Sequence, residues 1–430
     1  MDRDDEELLA RVPAADRRAN GLPDPDERAL RRRAFENVRA VLGPDLDADA
    51  LRISPLGPEW SSDIDVHLTS VVPTERLERA GWIRLTSLLE RVGIPGQERW
   101  AIVADGEVIG ACDISYERPP DPVDAVLRRA SERGEVRVRE VLELRALRRS
   151  GRGLPNNAVV RAAAGLESLL GGELLREWSG EHRDGISFPV RVPQRIRARV
   201  GNARAAFRPR LIVALSGVDG SGKSSLSRAL SEQLTRAGVP HGLVWTRPGM
   251  GPLWIGRLAA VGKRIVGQDS TPGMRAAARG DASTLASRRG VVGWSWTMIV
   301  TISFLVNVRS QLRRTRGVVI FDRHLLDALV TLDFFYKGVD LRLARLIVRR
   351  GLPAAALTVY LDVPADIAVS RKPGDVVGDY AVEQQLAAYA TELAQRSDVA
   401  IVDGRRPTKA LVTEMLELVA EPSFGSRQRP

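Results

Sequence analysis

Residues 217–224 read Gly-Val-Asp-Gly-Ser-Gly-Lys-Ser, and the spacing Gly217-x4-Gly222-Lys223-Ser224 is that of a phosphate-binding P-loop. The chemistry follows from the residue types. Glycines let the backbone curl, so that the run from Gly217 through Gly220, Ser221 and Gly222 to Ser225 can turn successive N–H groups toward phosphate oxygens. A helix opening at this point adds its positive end. Lys223 would reach the outer phosphates and the Ser224 hydroxyl would ligate Mg²⁺. The chain has five lysines among 64 basic residues, which leaves little room for a chance match.

Three further stretches could serve the same chemistry. "VVIFDRH" (318–324) puts Asp322 and Arg323 at the carboxyl end of an apolar strand, the edge where ligands sit in open α/β sheets. "TRPGMG" (246–251) follows an earlier strand and carries Arg247, and "VSRKPGD" (369–375) reads as a basic loop with Arg371 and Lys372. Phosphoryl transfer needs a cradle for the donor, a metal, and fixed positive charge around the moving group. An Asp-Arg pair at a strand end can serve the metal with one residue and an anionic acceptor with the other.

A second constellation lies near the N-terminus. Asp63 and Asp65 in "SSDIDVHL" are two apart on an expected strand and share a face, so both carboxylates can grip one divalent ion. Asp113, in "ACDISY", is the acid that could complete a two-metal site from a neighbouring strand. Ordinary polar residues at a strand edge give the same letters.

The elements that must position these residues fall into two patterns. Residues 25–41 read as an amphipathic helix with acids at its start, 51–57 as a strand and turn, and 62–68 as a second strand. Residues 74–93 have helical periodicity, and 99–117 form two β-rich runs joined at Asp105-Gly106, a strong hairpin signal. Residues 121–177 look helical with a break near "SGRGLPNN", and from about 178 the pattern dissolves into Gly, Pro and Arg. Beyond it, strands are expected at 211–216, 242–246, 317–321, 357–363 and 399–403 with helices between them. Apolar strands without alternation imply a parallel sheet covered by helices on both faces. The expected organisation is an α+β domain over 1–150, a helical segment and Arg-rich linker over 151–210, an α/β P-loop domain over 211–422 and a tail over 423–430.

Composition narrows the classes. The chain has 430 residues and 44% hydrophobic content, enough for two or three packed cores. One cysteine, Cys112, excludes a disulfide framework, and four histidines argue against a His-rich metal site. The acidic start "MDRDDEELLARV" lacks the order of a secretory signal, which fits a cytoplasmic protein. The net charge is +10, yet residues 1–150 carry about −6. Seven arginines between 191 and 210, with no acid among them, read as a solvated linker, and no specific nucleic-acid partner is expected. Residues 290–308 carry no charge but scatter Ser, Thr, Asn and Gly, so a helix buried between sheet and helices is expected rather than a membrane span.

Residues 211 to about 422 resemble the thymidylate kinase family of P-loop nucleoside-monophosphate kinases. "GVDGSGKS", with Asp219 inside the loop, is similar to that family's Gly-x-Asp-Gly-x-Gly-Lys-Ser, "TRPG" to its Thr-Arg-Glu-Pro-Gly, and "DRH" to its Asp-Arg pair. The resemblance implies ATP and Mg²⁺ at Lys223 and Ser224, and Asp219 and Asp322 aligning acceptor and metal water. It also implies Arg247 and Arg323 on the acceptor's phosphate, and Arg371 or Lys372 closing over the transferring group. Two departures stand out. Asp327 replaces the family's Ser after Asp-Arg, and no basic residue lies between Arg289 and Arg309, where the thymine-reading Arg belongs. Residues 25–117 resemble the nucleotidyltransferase superfamily in their glycine turn, Asp-x-Asp strand and later acid, which implies metal binding by Asp63, Asp65 and Asp113. Pro58 stands where that superfamily has Ser after its glycine.

The leading expectation is an ATP-dependent kinase acting on dTMP or another small phosphorylated acceptor, with a homodimer compatible. A regulatory P-loop protein, and a bifunctional kinase and nucleotidyltransferase on a non-nucleotide metabolite, are the alternatives.

Overall fold

A computed structural model describes, apart from short breaks, residues 22–116, 138–151, 210–246, 291–371 and 379–421, with isolated positions before 22 and at 122, 123 and 126. Arg247, Lys372 and most of the expected linker lie outside the described residues. The chain divides into two compact units, one mainly of residues 1–85 and 97–201, the other mainly of 202–235 and 239–430.

In the first unit, helix α1 (Pro25–Leu42) starts where proline fixes the first turn and Asp24 Oδ1 accepts the Glu27 N–H at 2.8 Å. Such a cap is worth about 1 kcal/mol. Ala34, Val38 and Leu42 recur at helical spacing and are buried. Five strands follow: β1 (Leu51–Arg52), β2 (Ile64–His67), β3 (Ile83–Arg84), β4 (Glu98–Ala104) and β5 (Glu107–Ser115), in sheet order β1-β2-β5-β4-β3. Only the β2–β5 pairing is parallel. Alternation along β2 buries Ile64 and Val66 beneath α1, with Trp100, Ile102, Cys112 and Ile114, and turns Asp65 and His67 to the other face. The helix lies so close that a Cβ on Gly110 would come within 2.8 Å of the Ala34 Cβ, an overpacking that costs about 1–3 kcal/mol.

The expected hairpin is present. Asp105 (φ 53°) and Gly106 (φ 69°) are both left-handed, as a two-residue turn matched to strand twist requires. The single helix expected over 74–93 is instead α2 (Thr74–Arg79), then β3, then α3 (Thr86–Arg91). Gly81 (φ 82°) breaks the helix, the Trp82 indole donates to Asn37 Oδ1 at 2.8 Å, and Ile83 and Arg84 pair with Ala101 and Trp100. Pairing to a distant strand outweighs local periodicity here. Helix α4 (Val138–Arg149) covers part of the helical stretch and ends near Gly151 (φ 82°), at the expected break.

The second unit is a five-stranded, wholly parallel sheet in the order β10-β9-β6-β8-β7, from β6 (Leu211–Ser216), β7 (His241–Trp245), β8 (Val318–Asp322), β9 (Leu357–Asp362) and β10 (Val399–Asp403). Every residue of β6 and β8 is buried, which requires cover on both faces. On one face Ile212, Ala214, Val319 and Phe321 pack with Phe304, Val308, Leu329 and Val348, from α6 (Val291–Arg314), α7 (Leu325–Phe335) and α8 (Arg342–Gly351). The other helices among the described residues of this sheet's unit include α5 (Lys223–Arg236), α9 (Ala365–Ser370), α10 (Asp379–Leu393) and α11 (Thr408–Ala420).

Helix α6 contains the uncharged segment and differs from its expectation. One face is buried in the core, whereas Ile299, Ile302 and Val306, a turn apart on the other, are exposed among the described residues. No described helix is long and apolar enough to cross a membrane. Strand β6 lies between β8 and β9, and the chain leaves toward both sides of it. Its carboxyl end is therefore the switch point at which open α/β sheets bind ligands.

Candidate phosphate-binding site

The loop 217–222 sits at that switch point, between the last residue of β6 and the first of α5. Gly220 (φ 88°) has its backbone pressed against α9, where any Cβ would collide with the Ala368 carbonyl. Gly222 (φ 96°) faces open space, and the nearest atom to a Cβ there would be Arg371 Nη1 at 4.0 Å. Arg371 therefore stands over the loop, held by its Nη1 donating to Gly404 O at 3.0 Å. Helix α5 keeps its register by burying Leu226, Leu230 and Leu234 along one stripe.

Lys223 is folded back into this loop. Its ammonium donates to Gly217 O and Val218 O, both at 2.6 Å, and is buried. Burial, reinforced by the nearby Arg323 guanidinium, lowers its pKa from 10.5 to about 8. The ammonium also reaches the Ser221 hydroxyl at 3.4 Å, and a cation held by neutral loop oxygens is poised to exchange them for phosphate oxygens.

Asp322 ends β8 beside the loop. Its Oδ2 accepts the Ser224 hydroxyl at 2.6 Å, while its Oδ1 is buried and finds no hydrogen-bond partner. A buried carboxylate oxygen left over beside a serine hydroxyl suits a hard divalent cation, which takes oxygen ligands and keeps waters and phosphates in its shell. The residues present therefore fit Mg²⁺.

Arg323 adopts φ 83°, unusual for a side-chain-bearing residue. Its N–H donates to Leu215 O at 3.1 Å, and its carbonyl accepts the Thr246 hydroxyl at 2.9 Å. The guanidinium pairs with Asp219 of the loop and lies 4.0 Å from Asp327. Burial alone would lower its pKa, but the two carboxylates outweigh burial and hold it above the ordinary arginine value. His324 caps α7 and is buried, which drops its pKa to about 4 and keeps it neutral.

Two residues join this site that the motifs do not contain. Asp327 is fully buried and accepts the His324 N–H at 3.3 Å and the Tyr389 hydroxyl at 2.8 Å. Tyr389, on α10, also lies 3.1 Å from Gly217 O. Asp327 was visible as a departure from the family pattern; Tyr389 had no signal beyond an aromatic on a helix. Of the expected residues, Asp219, Lys223, Ser224, Asp322, Arg323 and Arg371 are thus gathered at one sheet edge, and Arg247 is outside the described residues.

In the first unit, strand register lines up Asp65, Asp113 and Arg99 across β2, β5 and β4 on one face, with Asp63 just before β2. The Arg99 guanidinium grips Asp113 through Nε and Nη2, both at 2.5 Å, and reaches Asp63 Oδ2 at 3.3 Å. Among the described residues no group of three His, Cys, Asp or Glu is arranged to hold a metal ion. The expected acidic cluster thus has an arginine as its centre.

No known protein-family profile matches the chain. A protein of Aeropyrum pernix named "Putative thymidylate kinase" is 33% identical over 165 residues, 37% of this chain and 65% of that protein. The chain thus spans just under two thirds of that relative's length. Two solved structures of a deoxyadenosine kinase from M. mycoides, one with dCMP and dCDP and one with dATP, align with 49% of this chain. They cover 98% and 100% of those chains, at 17% and 16% identity and TM-scores of 0.32 and 0.34, a likeness too low to carry any argument. The sequence relative and the loop together support a P-loop kinase segment in this chain.

Proposed function

We propose that this chain is an ATP-dependent phosphotransferase that moves the γ-phosphoryl group of ATP to dTMP or another small phosphorylated acceptor. The observation that carries the reading is Arg323, a half-buried guanidinium fixed at the end of β8 and paired with the P-loop's own Asp219. A protein that only binds ATP has no use for a second, pre-aimed cation beside the loop.

In this reading the N–H groups of 217–225 hold the triphosphate and Lys223 leaves Gly217 O and Val218 O for its outer oxygens. Ser224 and Asp322 would hold Mg²⁺, which neutralises charge on the phosphates. Arg323 exchanges Asp219 for the acceptor's phosphate, and the freed Asp219 carboxylate can accept a proton or hydrogen bond from the acceptor. Arg371, over Gly222, adds positive charge where the transferring group becomes exposed. The relative's name favours a nucleotide acceptor.

Arg323→Ala tests the reading. Among contacts with the two substrates it removes only those to the acceptor, so the acceptor KM is expected to rise about 100-fold with the ATP KM within threefold. Equal loss for both substrates would contradict the assignment.

For the first unit, the Arg99–Asp113 grip favours a nucleotidyltransferase-like module that works without its own divalent cation. The guanidinium supplies the positive charge that the acidic row needs.

A further inference from the structure

The Tyr389 hydroxyl has one proton and two acceptors within reach, Asp327 Oδ1 at 2.8 Å and Gly217 O at 3.1 Å. The other bonds at these two acceptors decide where the proton goes. Gly217 O already accepts from the Lys223 ammonium at 2.6 Å, so the closer, charged Asp327 takes the tyrosine. All these groups are buried, and burial and the Asp327 charge hold the phenol well above its usual pKa, so it stays a donor. A buried acceptor that loses its donor is costly to the fold.

This rests on the proposed function: when ATP binds, Lys223 leaves Gly217 O for phosphate. We propose that Tyr389 is a positioning residue that then turns its proton from Asp327 to Gly217 O, coupling the occupied phosphate loop to the acceptor-side Arg323. The swap is balanced. One O–H···O bond replaces another, no proton leaves the phenol, and no buried carbonyl is orphaned. Asp327 loses a donor and is left with the His324 N–H and the Arg323 guanidinium, now 4.0 Å away. Its charge then draws Arg323 off Asp219, which frees Asp219 and pre-aims the guanidinium for the acceptor. ATP binding thereby readies the acceptor clamp through a single hydroxyl.

The relay makes a prediction of sign that a merely structural role does not. Titration calorimetry of full-length chain with AMP-PNP and Mg²⁺ compares wild type, Tyr389→Phe, Asp327→Asn and Lys223→Ala. Tyr389→Phe leaves Gly217 O without its replacement donor, and because the variant also lacks the phenol's bond to Asp327 before binding, only the difference between the two bonds is lost and affinity falls severalfold. Asp327→Asn weakens the competing acceptor, so affinity rises severalfold. Shifts in the same direction would overturn the relay. In wild type labelled with ¹³Cζ-tyrosine, the resonance missing from Tyr389→Phe should move on saturation with AMP-PNP and Mg²⁺. Lys223-dependent binding with that resonance unmoved would overturn the relay and leave the kinase reading standing. AMP-PNP binding that ignores Lys223→Ala would overturn both.

Discussion

The buried Lys223 makes a quantitative prediction about the chain without any ligand. An unfolded lysine titrates at 10.5 and this one at about 8. At about 1.4 kcal/mol per pH unit, keeping Lys223 charged in the folded loop costs about 3 kcal/mol. The sign is fixed by which state binds more protons. Below pH 8 both states are protonated and the full cost is present. Between about 8 and 10.5 the unfolded chain holds the proton that the folded one has lost, so stability rises with pH. Above 10.5 the cost is gone. Lys223→Met removes this titration, and the bonds to Gly217 O and Val218 O that it also removes contribute an offset at neutral pH. The difference in unfolding free energy between wild type and Lys223→Met, from urea titrations at steps from pH 7 to 10.5, isolates the titration because every other group cancels. Wild type is expected to gain about 3 kcal/mol on the variant across that range. A difference that stays flat within about 0.5 kcal/mol would refute a desolvated cation in this loop.

Other perturbations have definite outcomes. Gly220→Ala meets the Ala368 carbonyl and forces a residue with a side chain to φ 88°, so it should abolish ATP binding by calorimetry and cost at least about 2 kcal/mol in urea unfolding. Asp322→Asn removes the leftover carboxylate charge beside Ser224, and the Mg²⁺ concentration for half-maximal turnover should rise at least about tenfold. Arg99→Met leaves Asp113 without its bidentate partner, so a Mn²⁺ site absent from the Asp322→Ala background should appear by electron paramagnetic resonance in Asp322→Ala/Arg99→Met, where the kinase site has lost its metal-holding carboxylate. If these two variants bind equal Mn²⁺, the arginine does not replace a metal.

The phosphate loop was legible because its chemistry is local. Consecutive residues supply the curl, cation and hydroxyl, and the apolar run before them places the strand at 211–216, where it is found. What was not legible depends on pairings far apart in sequence. Counted from the Asp105-Gly106 turn, Glu98 should face Asp113; an irregularity between Ile102 and Val103 shifts the register by one and brings Arg99 there instead. A like-charge pair becomes an ion pair, and nothing in the sequence announces the shift. Strand β3 is invisible for the same reason, since its two residues are held by β4 rather than by their own periodicity. Tyr389 reaches Gly217 across 172 positions, and the packing of α10 against α7, α9 and Tyr360 of β9 places its hydroxyl. The exposed face of α6 shows the converse, an apolar run that only half enters the core.

The measurement that tests the central claim most directly is ADP release from ATP and Mg²⁺ by the purified chain. It would be offered dTMP, other nucleoside monophosphates, sugar phosphates and their unphosphorylated counterparts in turn, with Lys223→Ala as control. The account predicts Lys223-dependent stimulation by at least one phosphate-bearing acceptor and none by its unphosphorylated counterpart. ATP binding with no stimulation by any phosphorylated acceptor would contradict it and make the P-loop a switch rather than a donor site.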